Sequence, residues 1–239
     1  MTKTYETKAQ LVQAVNGTIP TTVITINDRA ATREAIITAT RRKGMDFVPR
    51  SDWAAHKNRS DKMVDDWNYT QIAIHHAGRS FSCGPAALQL QQIQEMQMDK
   101  PKAAADDIGY HYAIDCFGTV YEGRDIRFKG EHVHKYNTGV IGIVLLENLT
   151  APEEGGDMVA KVRTALDTIG INQTPTVPAA QGETLEKFVS ILKQYFNIAK
   201  LGGHREFPGQ LGEGKICPGN IGLAFVHTLR AKTGLAAPG

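Results

Sequence analysis

Gln71-Ile72-Ala73-Ile74-His75-His76-Ala77-Gly78 decides how this chain is read. The run alternates apolar and polar residues and ends in Ala-Gly, the pattern of a β-strand running out into a loop. Neighbouring side chains on a strand point to opposite faces, so His75 and His76 diverge. His75 stands where the strand enters the loop, and its imidazole can project from a sheet edge. His76 is then expected to be structural.

Upstream, residues 1–45 read as an N-terminal extension and residues 46–239 as one domain. Within the extension, residues 23–26 are a short β-like run and residues 30–42 a helix. Neither carries recognisable chemistry, so a packing arm or delivery segment is expected. Downstream, residues 85–98 are rich in Ala, Leu, Gln and Met with a proline near the start, which suits a helix. Residues 109–114 and 119–122 read as a hairpin around Cys116-Phe117-Gly118. Residues 140–146 are a nearly continuous apolar run, as in a buried central strand. Residues 158–169 read as a helix and residues 172–181 as a loop. Residues 183–198 form an amphipathic helix, with Leu185, Phe188, Val189, Leu192 and Phe196 on one face. A long Gly/Pro-rich loop follows over 202–219, then a closing helix over 221–232. Strands and helices mix without a regular βα repeat. That predicts an α/β (α+β) fold, a mixed central β-sheet flanked by helices.

The bulk numbers set few limits. The chain has 239 residues, 41% apolar and 22% charged, as in an ordinary globular protein. Its net charge of +2 does not mark a nucleic-acid binder, and none is expected as a partner. The three cysteines, Cys83, Cys116 and Cys217, argue against a disulfide framework. Whether Cys83 and Cys116 pair stays open at this point. Residues 1–13 are polar and charged, without the apolar core of a signal peptide, and no later run is long and apolar enough to span a membrane. The expectation is a protein made in the cytoplasm.

His75, His204 and Cys217 stand out as metal ligands. His204 and Cys217 bracket the Gly-rich stretch Gly203-His204-Arg205-Glu206-Phe207-Pro208-Gly209, which closes at Lys215-Ile216-Cys217-Pro218. A catalytic zinc takes three protein ligands and leaves its fourth position to water. Two imidazoles and a thiolate suit its borderline softness. Spacing alone does not join the three, since no compact finger pattern links them. Unrelated residues remain the alternative on that ground.

Several blocks in order carry a resemblance. They are Arg50-Ser51-Asp52-Trp53, Ile74-His75-His76-Ala77-Gly78, Asp107-Ile108-Gly109-Tyr110-His111-Tyr112 and Val120-Tyr121-Glu122-Gly123-Arg124. Gly130-Glu131-His132, Asn137, Ile141-Gly142-Ile143, Gly203-His204-Arg205 and Lys215-Ile216-Cys217-Pro218 continue the series. Together they resemble the peptidoglycan-recognition-protein family, which includes the amidase-type phage lysozymes and the N-acetylmuramoyl-L-alanine amidases. The likeness covers about residues 47–232.

The resemblance implies Zn2+ held by His75, His204 and Cys217. It implies catalytic roles for Tyr110, whose hydroxyl holds the attacking water or the oxyanion, and for Lys215, whose ammonium stabilises the oxyanion. A related amidase branch places a glutamate base directly after the Ile-Gly-Ile motif; here that position is Val144. Glu147 is expected to point away from it. His132, His111 and Asn137 match positions expected to bind substrate, though His111 and His132 fit equally as hydrogen-bonded core histidines. Trp53 is expected in the core, and His134 and His227 at the surface.

The implied function is a bacteriolytic, antibacterial peptidoglycan hydrolase that cuts between N-acetylmuramic acid and L-alanine. The alternative is a non-catalytic recognition protein, and a cysteine peptidase built on Cys217 is weaker still. A monomer is expected, with peptidoglycan as partner. Action in the periplasm or cell wall then calls for delivery without a cleaved signal, as a phage endolysin or as an injected toxin with delivery machinery and an immunity protein. The stretch 150–182 looks like an insert that walls the cleft or meets a partner.

Overall fold

Apolar residues on alternate and on consecutive positions build the sheet from its middle outward. The computed structural model describes residues 5–10, 21–26, 28–55, 58–59, 61–78, 83–99, 104–151, 154 and 176–239. Strands β1 (Tyr5–Gln10) and β2 (Thr21–Ile26) pair antiparallel as a separate two-stranded sheet. Helix α1 (Asp28–Arg42) follows. The main sheet contains β3 (Phe47–Val48), β4 (Gln71–His76), β5 (Tyr112–Ile114), β6 (Val120–Glu122), β7 (Val140–Leu145) and β8 (Lys200–Gly203). Their order is β3-β6-β5-β7-β4-β8. The β5–β6 hairpin is antiparallel, and every other pairing is parallel, so the sheet is mixed as expected.

Helices cover both faces. Helix α2 (Ala86–Met98) packs Ala86, Leu90 and Ile93 with Trp53, Ala113, Val144 and Leu146 on one face. On the other, α3 (Ala179–Tyr195) and α4 (Gly219–Thr233) join α1 over Ile72, Ile74, Ile141, Ile143 and Leu145. Each such side chain taken from water contributes about 1.5–3 kcal/mol. Trp53 is core, 1% exposed, with Nε1 donating to the Glu122 carbonyl at 2.6 Å.

Helix α1, which lies within the extension read over residues 1–45, packs against the main body. Ile36 and Ile37 of α1 are 0% and 4% exposed in the main core. Arg33 forks onto the buried Glu122 carboxylate at 2.5 and 2.6 Å, and Tyr195 donates to the Ala35 carbonyl at 3.1 Å. The helix expected at 158–169, and most of the insert expected over 150–182, lie outside the described residues. Helix α3 begins at Ala179, so the end of the expected loop is already helical. No helix among the described residues is long and apolar enough to cross a membrane.

Candidate metal centre

Sheet register brings His75 and His204 together. β8 lies parallel to β4 with Ile74 opposite Gly203, so His75 and His204 each follow that matched pair. Cys217 arrives from the loop before α4. A Cβ on Gly203 would stand 2.6 Å from Pro218 Cδ, so only a glycine there lets the Cys217–Pro218 step lie against the strand. The Arg205 N–H donates to the Cys217 carbonyl at 3.0 Å and fixes that approach. The ligand atoms of His75, His204 and Cys217 lie within 4.8 Å of one another. Cys217 Sγ is 3.6 Å from His75 Nδ1, and the two imidazole centroids are 4.7 Å apart.

The rear of each imidazole is held by the protein. His132 Nε2 faces the Val140 carbonyl at 3.2 Å, and a carbonyl only accepts, so this nitrogen carries the proton. In the neutral ring Nδ1 is then an acceptor, and His75 Nε2–H donates to it at 3.1 Å. That leaves the His75 Nδ1 lone pair facing Cys217. Gly130 and Gly142 make the slot for the His132 ring, since a Cβ on either would come within 2.5 Å of its Cδ2. Asn137 Oδ1 accepts from the N–H groups of His132 and Val133 at 2.8 and 2.7 Å and pins this loop. Behind His204, Nε2 lies 3.0 Å from Gln210 Oε1. Gln210 is 1% exposed, and nothing in its sequence neighbourhood pointed to it.

The expected substrate contacts are thus placed differently. His111 is wholly buried, with Nδ1 accepting from Gly142 N–H at 3.0 Å and Nε2 facing the Phe128 carbonyl at 2.9 Å. No edge is left for a ligand, so His111 is a core histidine, and burial lowers its pKa to about 4. His132 is 7% exposed behind His75. Asn137 is half-buried and gives its carbonyl oxygen to the loop. His76 accepts from Leu149 N–H at 3.0 Å, away from the cluster, while His134 and His227 are exposed.

The electrostatics suit a cation. Burial holds His75 well below the ordinary imidazole range, assisted by the neighbouring His204, His132 and His76. Burial and the Lys215 ammonium lower His204 against the opposing hydrogen bond to Gln210. Both rings are therefore neutral at pH 7, the form that metal binding requires. Burial pushes the Cys217 thiol up to about 12, a cost that a bound divalent ion reverses by stabilising the thiolate. Two neutral nitrogens and one sulfur, with occupied rear atoms and convergent front atoms, fit zinc.

Tyr110 packs over His75, ring centroids 4.8 Å apart. Glutamines of α2 staple its segment: Gln97 Oε1 accepts from Gly109 N–H, and Gln94 Nε2 donates to Asp107, both at 2.7 Å. Burial raises the Tyr110 phenol far above its usual value, so it remains a donor. Lys215 is exposed on the loop before Cys217, and its charge bears on both His204 and Cys217. Val144 pairs with His75 across β4 and β7 and supplies no base. The Glu147 carboxylate sits 3.2 and 3.3 Å from the sulfurs of Cys83 and Cys116. Those cysteines form a disulfide, which settles their pairing and leaves them no metal-binding role.

A mixed sheet with a His-His-Cys cluster beside its strand ends is the arrangement expected of the peptidoglycan-recognition and amidase type 2 class. A Clostridium intestinale endolysin, an N-acetylmuramoyl-L-alanine amidase, superposes with TM-score 0.56 at 20% identity, over 80% of this chain and 96% of its own. Peptidoglycan recognition protein LE, solved with tracheal cytotoxin (monomeric diaminopimelic acid-type peptidoglycan), superposes with TM-score 0.57 at 17% identity, over 77% and 92%. These likenesses show the fold. The family model described as N-acetylmuramoyl-L-alanine amidase matches residues 66–220, and the chain belongs to that family. Peptidoglycan-recognition protein SC2 of Drosophila melanogaster is 36% identical over 108 residues, 44% of this chain. The match spans about half the relative's length, 56%.

Proposed function

We propose that this chain is a zinc-dependent amidase that hydrolyses the bond between N-acetylmuramic acid and the L-alanine of the stem peptide. One observation carries the reading: the donor atoms of His75, His204 and Cys217 converge within 4.8 Å. Three protein ligands are the complement of a catalytic zinc. When bound, zinc supplies a Lewis acid and water acidified to a pKa of about 7. Around it, the Tyr110 hydroxyl donates to the oxygen that gains charge as the amide is attacked, and the Lys215 ammonium offsets that charge. The oxygen of water bonds to the lactyl carbonyl carbon, which becomes a carboxylate, a proton of that water passes to the nitrogen as the C–N bond breaks, and the stem peptide leaves with a free alanine amine. Membership of an amidase family and the solved neighbour's peptidoglycan ligand support the substrate. The Cys83–Cys116 disulfide supports action in an oxidising compartment such as the periplasm, reached as an endolysin or as an injected effector.

Mass spectrometry of purified sacculi after digestion by zinc-loaded and chelated protein tests the reading. Intact stem peptides and peptide-free glycan are expected, with release lost on chelation and restored by zinc. Zinc-loaded protein that bound sacculi and released nothing would make the chain a recognition protein instead.

A further inference from the structure

We infer that Gln210 is a positioning residue that sets the tautomer of His204 and ties both ligand histidines to one supporting loop. The inference rests on the zinc reading above. The orientation of the Gln210 amide follows from its surroundings. Its Nε2 lies 3.0 Å from the His134 carbonyl and 3.3 Å from the Pro208 carbonyl. Both are acceptors, so the NH2 group must face them, and Oε1 must face His204. An amide oxygen only accepts. His204 Nε2 therefore carries the hydrogen in its 3.0 Å contact with Oε1, and Nδ1 is the ring atom left with a free lone pair.

The same amide reaches across to the loop that backs the other ligand. His134 lies two residues after His132, whose ring holds His75, and Asn137 pins this loop through the N–H groups of His132 and Val133. One turn of chain over 131–137 thus stands behind both imidazoles, by a side chain for His75 and by a carbonyl through Gln210 for His204. Gln210 is held in turn by its own loop, where its carbonyl accepts from Lys215 N–H at 3.1 Å. Its position thereby couples His204 to the lysine two residues before the Cys217 ligand.

Partners of this kind fix ring orientation, and losing one typically weakens metal binding about 10–100-fold. The test measures zinc affinity by chelator competition in wild type and Gln210→Leu. Thermal unfolding of the zinc-free proteins runs alongside. Gln210→Leu keeps the bulk and removes the acceptor for His204 Nε2–H together with the amide donors to the His134 and Pro208 carbonyls. Affinity about 10–100-fold weaker in Gln210→Leu is expected. A folded Gln210→Leu protein with wild-type affinity would overturn the inference while leaving the zinc reading intact. So would long-range 1H–15N spectra of zinc-free wild type showing His204 protonated at Nδ1, since Gln210 would then not set the tautomer. Wild-type protein that bound no zinc would sink both. If Gln210→Leu does not fold, long-range 1H–15N spectra of zinc-free wild type decide: His204 protonated at Nε2 is expected, and protonation at Nδ1 would refute the assignment.

Discussion

His75 Nε2 donates to His132 Nδ1 at 3.1 Å, and the His132 ring lies in a slot walled by Gly130 and Gly142. The glycine of the central Ile141-Gly142-Ile143 strand thus bears on the ligand set without touching it. Gly142→Ala would place a methyl 2.5 Å from His132 Cδ2, in a strand that cannot move aside. The ring must leave, and His75 loses the acceptor that fixes its tautomer. Zinc affinity is expected to fall about 10-fold or more. Isothermal titration with zinc checks this, and wild-type affinity in the variant would show that His132 does not orient His75.

Tyr110 and Lys215 are separable from metal binding. Tyr110→Phe keeps the ring packed over His75 and removes only the hydroxyl. Lys215→Ala removes an exposed ammonium. Each is expected to lower kcat about 100-fold or more at unchanged zinc content. Steady-state rates on a muramyl peptide, with elemental analysis of the same samples, read both quantities. Because burial keeps the Tyr110 phenol protonated, no loss of rate from its ionisation is expected on raising the pH from 7 to 9.

The sheet was legible where side chains repeat and hidden where they are missing. β4, β7 and α3 follow from alternating, continuous and amphipathic apolar patterns. β8 is hidden because Gly202 and Gly203, half of the strand, begin the Gly/Pro-rich run over 202–219. Those glycines are needed because Pro238 and Pro218 pack where Cβ atoms would stand. β3 has only two residues, too few for any period. The convergence of His75, His204 and Cys217 was legible because potential metal ligands are a restricted set of residue types and ordered motifs surrounded them. Gln210 was not, because its role exists only after two loops close on each other. His132 was ambiguous for a related reason: its slot is built by glycines twelve residues apart in sequence, and only packing shows that the ring turns inward.

Glu206 predicts the acid limit of the fold. Burial would raise its pKa, but hydrogen bonds from Arg230, Gly203 N–H and His227 outweigh this and hold it below 4.5. A depressed carboxyl stabilises the native state fully above its unfolded pKa, and that contribution disappears as pH falls through the folded pKa. Stability should therefore drop as pH falls below about 4.5, the ordinary glutamate range. Glu206→Gln should be less stable at pH 7 and should flatten the acid decline. Urea unfolding from pH 3 to 7 measures both, and an unchanged acid slope in the variant would assign the loss to other carboxyls.

The Cys83–Cys116 disulfide closes 33 residues of sequence between the start of α2 and the β5–β6 turn. A loop of that length stabilises by about 3.7 kcal/mol through restriction of the unfolded chain. Reduction should lower the unfolding temperature while zinc content is unchanged, since neither sulfur belongs to the ligand cluster. Calorimetry with and without reductant, on zinc-loaded protein, reads the difference. Zinc lost together with the disulfide would mean that the two regions are mechanically coupled.

Helix α1 gives the last prediction, because it decides where the packed body begins. A delivery arm lying on the surface would tolerate truncation of its side chains within about 0.5 kcal/mol. Ile36 is instead 0% exposed in the main core, and Arg33 two-handedly holds a Glu122 carboxylate that is 2% exposed. Ile36→Ala should cost about 2–5 kcal/mol and Ile36→Val about 0.5–1.5, the graded response of a packed site. Removing α1 altogether would leave Ile37 and the facing strand residues open to water and Glu122 without its guanidinium, so a chain starting at residue 46 should fail to fold cooperatively. Denaturant titration of the two point variants and of the shortened chain tests this. Near-native stability in the shortened chain would restore the extension boundary at residue 45.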